Sequence, residues 1–397
     1  MKKTHPHLIK IFVLFLLVLL KNTNTFAAKT AIKQKFGAIQ TVILSGTHEE
    51  MGAQYGKALQ DELKAALSIL EDFYITQHRV TYTKLRDQAD ILYKRFPLNY
   101  QLFIQGVSQG SGLSLDDVKI LNAMETLDRL IPPIQAPGCA FLSIPGNKTA
   151  THFSLIGRNY DFRPPYDSLA KYLTVTILKE PNAVPTAFIS IAGEIYCPTC
   201  INANGLFMEL NNGSPSGGSW INENRQSLLI NLLQILQNSN DLSQMEKQLN
   251  ATQSDYSLII NTANKDNSKS YEFSSTLGMK TVFPSSNDVF VSTNFYLNKT
   301  WENIPVETDA TTWLGVTRRN NLLNLASQLE QFDIPAFELL MDKQIKNGGG
   351  AWDFTIYQLI FDMNDFSLYV KINKEGNAWN KIPLEKLFSD SSMERAA

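Results

Sequence analysis

The chain has 397 residues, 44% hydrophobic and 19% charged, enough for one large core or two ordinary ones. Its 36 Lys and Arg against 38 Asp and Glu leave a net charge of −2, and no basic run is interleaved with aromatics, which argues against nucleic acid as a partner. The N-terminus joins Met1-Lys2-Lys3 to an apolar run over residues 11–20 and then to the small pair Ala27-Ala28. That pattern predicts a cleaved signal peptide over residues 1–28. The apolar run is too short to span a membrane, so an exported mature chain with no stable membrane span is expected.

Helical periodicity covers residues 47–75, opened by a capping box at Thr47 and Glu50, with Leu59, Leu63, Ala66, Leu67, Leu70 and Tyr74 on one face. Gly52 and Gly56, one turn apart, leave room for another element to approach closely. Further helices are predicted over 82–93, 98–108 and 114–130, the last with a capping box at Ser114 and Asp117. The segment before Cys139 therefore reads as mostly helical. Pro132, Pro133 and Pro137 then keep the chain extended, as either a processing loop or an interdomain linker. Beyond Cys139 the pattern changes to strands over 140–144, 153–157, 172–178, 186–192, 206–210, 256–261, 289–293, 356–361 and 366–372, the last two forming a hairpin. Helices return at 226–237, 242–249, 318–329 and 334–341. Blocks of helix between antiparallel strands predict an α+β fold of layered sheets with helices outside.

Three cysteines in an exported chain give one pair and one free thiol. Cys197-Pro198-Thr199-Cys200 is the obvious disulfide, which leaves Cys139 alone. A thiol that attacks a carbonyl needs a base and an oxyanion stabiliser. No histidine follows His152, so a papain-like arrangement with its histidine well downstream of the cysteine is excluded. One arrangement needs no histidine. The chain is cut between Gly138 and Cys139, and the freed α-amine, with an ordinary pKa of about 7.7 to 8.0, acts as base for its own side chain. Arg158 and Asp161 lie just past the next predicted strand, where a hairpin brings both beside the thiol. Asn211 and Asn294 each follow a strand and carry amides able to donate to an oxyanion. Arg318 starts a predicted helix and is a candidate to contact Cys139 or the substrate. No metal or organic cofactor is implied.

Taken in order, the Gly46-to-Gly52 run with Gly56, Gly138-Cys139, the Gly157-Arg158-Asn159-Tyr160-Asp161-Phe162 run, Asn204-Gly205-Leu206, Thr293-Asn294 and the C-terminal hairpin resemble one superfamily. It is that of the choloylglycine hydrolases and penicillin acylases, which are N-terminal-nucleophile hydrolases. Within it the chain looks most like the acyl-CoA:6-aminopenicillanic acid acyltransferase family and is more distantly similar to acid ceramidases. The resemblance implies a four-layer αββα sandwich and a precursor that cuts itself. A retained, mostly helical N-terminal subunit of residues 29–138 and a catalytic subunit of residues 139–397 would then stay together as a heterodimer. It implies Cys139 as nucleophile and, through its amine, base, with Asp161 orienting the amine and Arg158 positioning the thiol. Asn294 and Asn211 would line the oxyanion and substrate site, with Arg318 behind them and a small-molecule amide as substrate. The sequence departs from the family at Ala140, where Thr or Ser is common, and at Phe295, where His often stands. Arg318 and Arg319 remain alternatives. Two other functions stay open: acyl transfer to an amine acceptor, and thiol-disulfide exchange at Cys197 and Cys200.

Overall fold

A computed structural model describes residues 30–131, 138–285, 287–373 and 378–389. The segment read as a signal peptide and the prolines Pro132, Pro133 and Pro137 lie outside the described residues. The described chain opens on a hairpin of β1 (Ile32–Phe36) and β2 (Ile39–Ser45), a departure from the mostly helical reading of this segment. Helices α1 (His48–Ala58), α2 (Gln60–Glu71), α3 (Tyr82–Tyr93), α4 (Leu98–Ser111) and α5 (Leu115–Asn122) follow. Both capping boxes form, Thr47 with Glu50 and Ser114 with Asp117, so the N–H groups of the N-cap residue and of the third helical residue of α1 and of α5 are satisfied by side chains. The single helix read over 47–75 is interrupted at Leu59, which leaves helical geometry to bury its side chain completely. A Cβ on Gly52, Gly56, Gly106 or Gly110 would run into the backbone of the facing helix, so α1 and α4 cross backbone against backbone.

After Cys139 come β3 (Ala140–Ile144), β4 (Leu155–Asp161), β5 (Leu173–Lys179), β6 (Thr186–Ile191), β7 (Thr199–Asn202) and β8 (Phe207–Asn212). Helices α6 (Leu228–Gln237) and α7 (Leu242–Asn250) lead to β9 (Leu258–Ala263), β10 (Ser268–Ser274), β11 (Gly278–Val282) and β12 (Phe290–Ser292). Helices α8 (Gly315–Ser327) and α9 (Ile334–Asp342) precede β13 (Thr355–Asp362), β14 (Ser367–Ile372) and β15 (Asn380–Pro383). The strands form a nine-stranded sheet in the order β1-β2-β5-β6-β7-β8-β9-β10-β11 and a six-stranded sheet in the order β12-β3-β4-β13-β14-β15. Neighbours are antiparallel except β2 and β5, which run parallel.

Side-chain alternation along β3 sets the layers. Ala140, Leu142 and Ile144 pack with Leu322 and Leu325 of α8 and with Phe337 and Met341 of α9. Phe141 points the other way, to Phe207 of the nine-stranded sheet with ring centroids 6.1 Å apart, and Phe361 of β13 meets the same ring at 6.2 Å. The two sheets therefore pack face to face over a shared core. Helix α1 packs on β2 and α6 on β6 and β7, while α8 and α9 cover the six-stranded sheet. The fold is α+β, with helix, sheet, sheet and helix in succession, and the N-terminal helices belong to one outer layer.

Candidate active site

Cys139 immediately precedes β3, and the two-residue period puts its side chain with Phe141 on the face between the sheets while Ala140 turns to the helices. The residue is 8% exposed. Strand β4 runs beside it with Ala140 opposite Asn159 and Phe141 opposite Arg158. Arg158 and Asp161 thus lie on β4 itself and not beyond it, because the strand extends to Asp161. The Nη2 of Arg158 donates to Cys139 Sγ at 3.7 Å and to the Leu210 carbonyl at 2.9 Å. Its Nη1 pairs with the Glu209 carboxylate of β8, which also accepts from Asn261 of β9. All three are fully buried, and an arginine in such a place needs its carboxylate.

The opposite face of β4 meets the helices. A Cβ on Gly157 would strike Met341 and Phe337 of α9, which is why this position of the Gly157-Arg158 pair has no side chain. Asp161 on the same face accepts from Thr355 Oγ1 at 2.6 Å and pairs with Arg318 Nη2. Arg318 sits in the first turn of α8, which begins at Gly315, earlier than the sequence pattern indicates. Its Nε donates to the Gly350 carbonyl at 3.0 Å, and its Nη1 donates to the carbonyl of Gly138 and, at 3.4 Å, to that of Cys139. Arg319 instead donates to the Val291 carbonyl at 3.1 Å, so Arg318 is the arginine that reaches the Gly138–Cys139 junction. Burial pushes the Asp161 carboxyl up, against the pull of Arg318. Burial likewise pushes the Cys139 thiol up, Arg158 pulls it down, and Asp161 and Glu125 oppose that pull. A thiol so placed is protonated at neutral pH and needs a base before it attacks.

Asn294 follows β12, fully buried, with Nδ2 donating to the Asn212 carbonyl at 2.9 Å and Oδ1 turned toward Gly138 without a hydrogen-bond partner. Asn211 is also fully buried, but its Nδ2 donates to the Thr293 carbonyl at 3.3 Å, so it braces the chain behind Asn294. Its neighbour Asn212, with Cys139, Asp161 and Asn294, lines a cavity of about 110 Å³. Charged side chains on the cavity wall are largely paired: Arg95 with Asp255 at 2.6 Å and Arg163 with Asp128 at 2.5 Å. Glu125 accepts from the Tyr160 hydroxyl, and burial pushes its carboxyl up.

Glu209 is absent from the sequence reading. The signal for it is a carboxylate inside the apolar run Phe207-Met208-Glu209-Leu210, which has to find a cation once that strand is buried. Cys197 and Cys200 are joined as a disulfide, Cα to Cα 5.5 Å, with both residues fully buried. Cys200 lies in β7, so the helix N-terminus that activates thiols in exchange enzymes is not its setting. Among the described residues no group of His, Cys, Asp and Glu is arranged to hold a metal, and no helix is long and apolar enough to cross a membrane.

The chain is similar in structure to a variant of conjugated bile acid hydrolase from Clostridium perfringens, with TM-score 0.43 and 13% identity over 62% of this chain and 93% of that one. It is similar to the Caenorhabditis elegans ortholog of N-acylethanolamine-hydrolyzing acid amidase, with TM-score 0.43 and 12% identity over 57% and 93% of the two chains. It is also similar to penicillin V acylase from Agrobacterium tumefaciens, with TM-score 0.37 and 9% identity over 59% and 83%. No protein-family model and no curated protein matches the sequence.

Proposed function

We propose that the chain is an exported N-terminal-nucleophile amide hydrolase that cuts itself between Gly138 and Cys139 and then hydrolyses linear amides through a thioester on Cys139. One observation carries the reading: the Arg318 guanidinium sits on the carbonyl of Gly138 while Arg158 lies against the Cys139 sulfur. An electrophile and a nucleophile are each held by a buried cation at one peptide bond. Sγ adds to the Gly138 carbonyl carbon, the C–N bond to Cys139 breaks, and the nitrogen takes up the thiol proton to become an amine. Water then hydrolyses the thioester, which releases the Gly138 carboxyl group and restores the thiol.

On a substrate amide the freed amine accepts the thiol proton as sulfur attacks and hands it to the leaving nitrogen. The acyl thioester that remains is hydrolysed by water. Asp161 orients the amine, Arg158 the sulfur, and Arg318, together with the N–H of Asn294 Nδ2 that is not given to the Asn212 carbonyl, receives the oxyanion. Residues 29–138 remain attached after cleavage. Their β2 is hydrogen-bonded to β5, and their Glu125, Asp128 and Arg129 line the cavity beside Cys139. Intact mass of the purified protein tests the reading. Two co-purifying fragments that meet at Gly138 and Cys139 are expected, with one uncut chain for Cys139→Ala. A wild-type chain that hydrolyses amides while still whole would overturn the assignment of the amine as base.

A further inference from the structure

In the uncut chain Gly138 occupies the place beside the sulfur that an acyl group takes later, so its surroundings outline the acyl site. The carbonyl oxygen is held by Arg318. A Cβ on Gly138 would overlap Asn294 Oδ1, come within 2.7 Å of Asn294 Cγ, and sit 3.5 Å from Arg318 Nη1. The Arg318 distance is an ordinary contact; Asn294 is the obstruction, and neither side chain is free to shift. The Asn294 amide is fully buried and anchored to the Asn212 carbonyl. Arg318 is fixed by Asp161 and the Gly350 carbonyl and lies 5.4 Å from the Trp352 ring centroid.

We propose that Asn294, with Arg318 packed alongside, closes the space beside the carbon next to the attacked carbonyl on the side where an L-residue carries its Cβ. The closed side makes glycine the L-chain residue required before the cut, and it limits substrates to amides whose α-carbon carries only hydrogen in that direction. Acyl groups branched in that configuration, including every L-amino-acid residue of a peptide except glycine, are excluded. The inference rests on the self-cleaving amidase reading. Sulfur attacks the Gly138 carbonyl and a substrate carbonyl from one position, so both carbonyl carbons carry their α-substituents into one space.

The test has two arms. In the first, cleavage of wild type and Gly138→Ala is followed by intact mass, with thermal melting to verify that the variant is folded. In the second, mature wild-type enzyme is given the octanoyl, (R)-α-methyloctanoyl and β-methyloctanoyl amides of a fluorogenic aminocoumarin, the (R) methyl taking the direction of an L-residue's Cβ when the alkyl chain takes that of the Gly138 nitrogen. A methyl group that a pocket cannot hold typically changes kcat/KM by about 10- to 200-fold. A loss of that size is expected for the α-methyl amide alone, with a comparable slowing of Gly138→Ala cleavage. Asn294→Ser, whatever its residual turnover, is expected to lower the ratio of straight-chain to α-methyl hydrolysis. Equal hydrolysis of straight-chain and α-methyl amides, or cleavage of folded Gly138→Ala at the wild-type rate, would overturn the closed side. A wild-type chain never cut at this bond, or an enzyme inert to all three amides, would instead count against the amidase reading.

Discussion

Two arginines are buried on opposite sides of Cys139, each on a carboxylate, and they face different partners in the proposed reaction. Arg158 lies between the sheets, pairs with Glu209 and touches the sulfur. Arg318 lies on the helix side, pairs with Asp161 and touches the carbonyl of Gly138. The alternation of β4 produces this division, since residues 158 and 161 differ in parity and so project from opposite faces. A guanidinium has five donors in a rigid fork. Each arginine can therefore satisfy its ion pair and still direct an N–H at a reacting atom, which a lysine in either place could not do with the same geometry.

The largest expected effect separates the pairing role of Arg318 from its contact with the carbonyl. Arg318→Leu leaves Asp161 a buried carboxylate without a cation, so stability is expected to fall by about 3–5 kcal/mol in denaturant titration, and self-cleavage to stop. Adding Asp161→Leu should restore most of the stability without restoring cleavage. Return of cleavage in the double variant would show that the guanidinium does not act on the carbonyl. Next is Asn294→Ala, expected to lower kcat by about 100- to 1000-fold with little change in KM, on protein whose processing has been verified by mass. Wild-type turnover in that variant would end the oxyanion assignment.

The other arginine is sharpened by Arg158→Leu with Glu209→Leu, which removes the cation from the sulfur without stranding a carboxylate. A cation favours the thiolate, so its loss raises the thiol pKa. The pH midpoint for alkylation by iodoacetamide is expected to move up by about one to three units. An unmoved midpoint would reduce Arg158 to a packing role. The smallest effect lies away from both arginines. Replacing Cys197 and Cys200 by Ser is expected to cost on the order of 2 kcal/mol of stability, measured by thermal melting, with processing and turnover unchanged. Loss of turnover in a folded, processed double variant would move the chemistry to that pair.

The strands that carry the site are legible because they are buried on both faces, and their apolar runs between turns need no partner to be recognised. Cys139, Arg158, Asp161 and Asn294 stand out as polar residues at the ends or in the middle of such runs, with Gly138 just before the first of them and Arg318 at the start of a helix. The structure gathers them around one sulfur and one carbonyl. The strand Ile32-Lys33-Gln34-Lys35-Phe36 is not legible, because it is an edge strand with a polar interior and its hairpin turns on Gly37 and Ala38. Glu209 escapes for a different reason. Its meaning depends on Arg158, which the sequence places in another strand of another sheet. The sequence reading takes Asn211 for the site, whereas the alternation along β8 puts its neighbour Asn212 on the cavity.

The parallel contact between β2 and β5 has a consequence for the history of the molecule. Parallel neighbours require a long crossover, and this one runs through α1 to α5, β3 and β4 and therefore through the Gly138–Cys139 bond. While the chain is whole, closing that contact is a first-order event. After the proposed cut it would be an encounter between two polypeptides. Mature protein that has been unfolded is then expected to regain its sheet at a rate proportional to concentration, whereas the uncut Cys139→Ala chain refolds at a rate independent of it. The scission would make folding a step taken once, and the durability of the enzyme thereafter a matter of how slowly it opens.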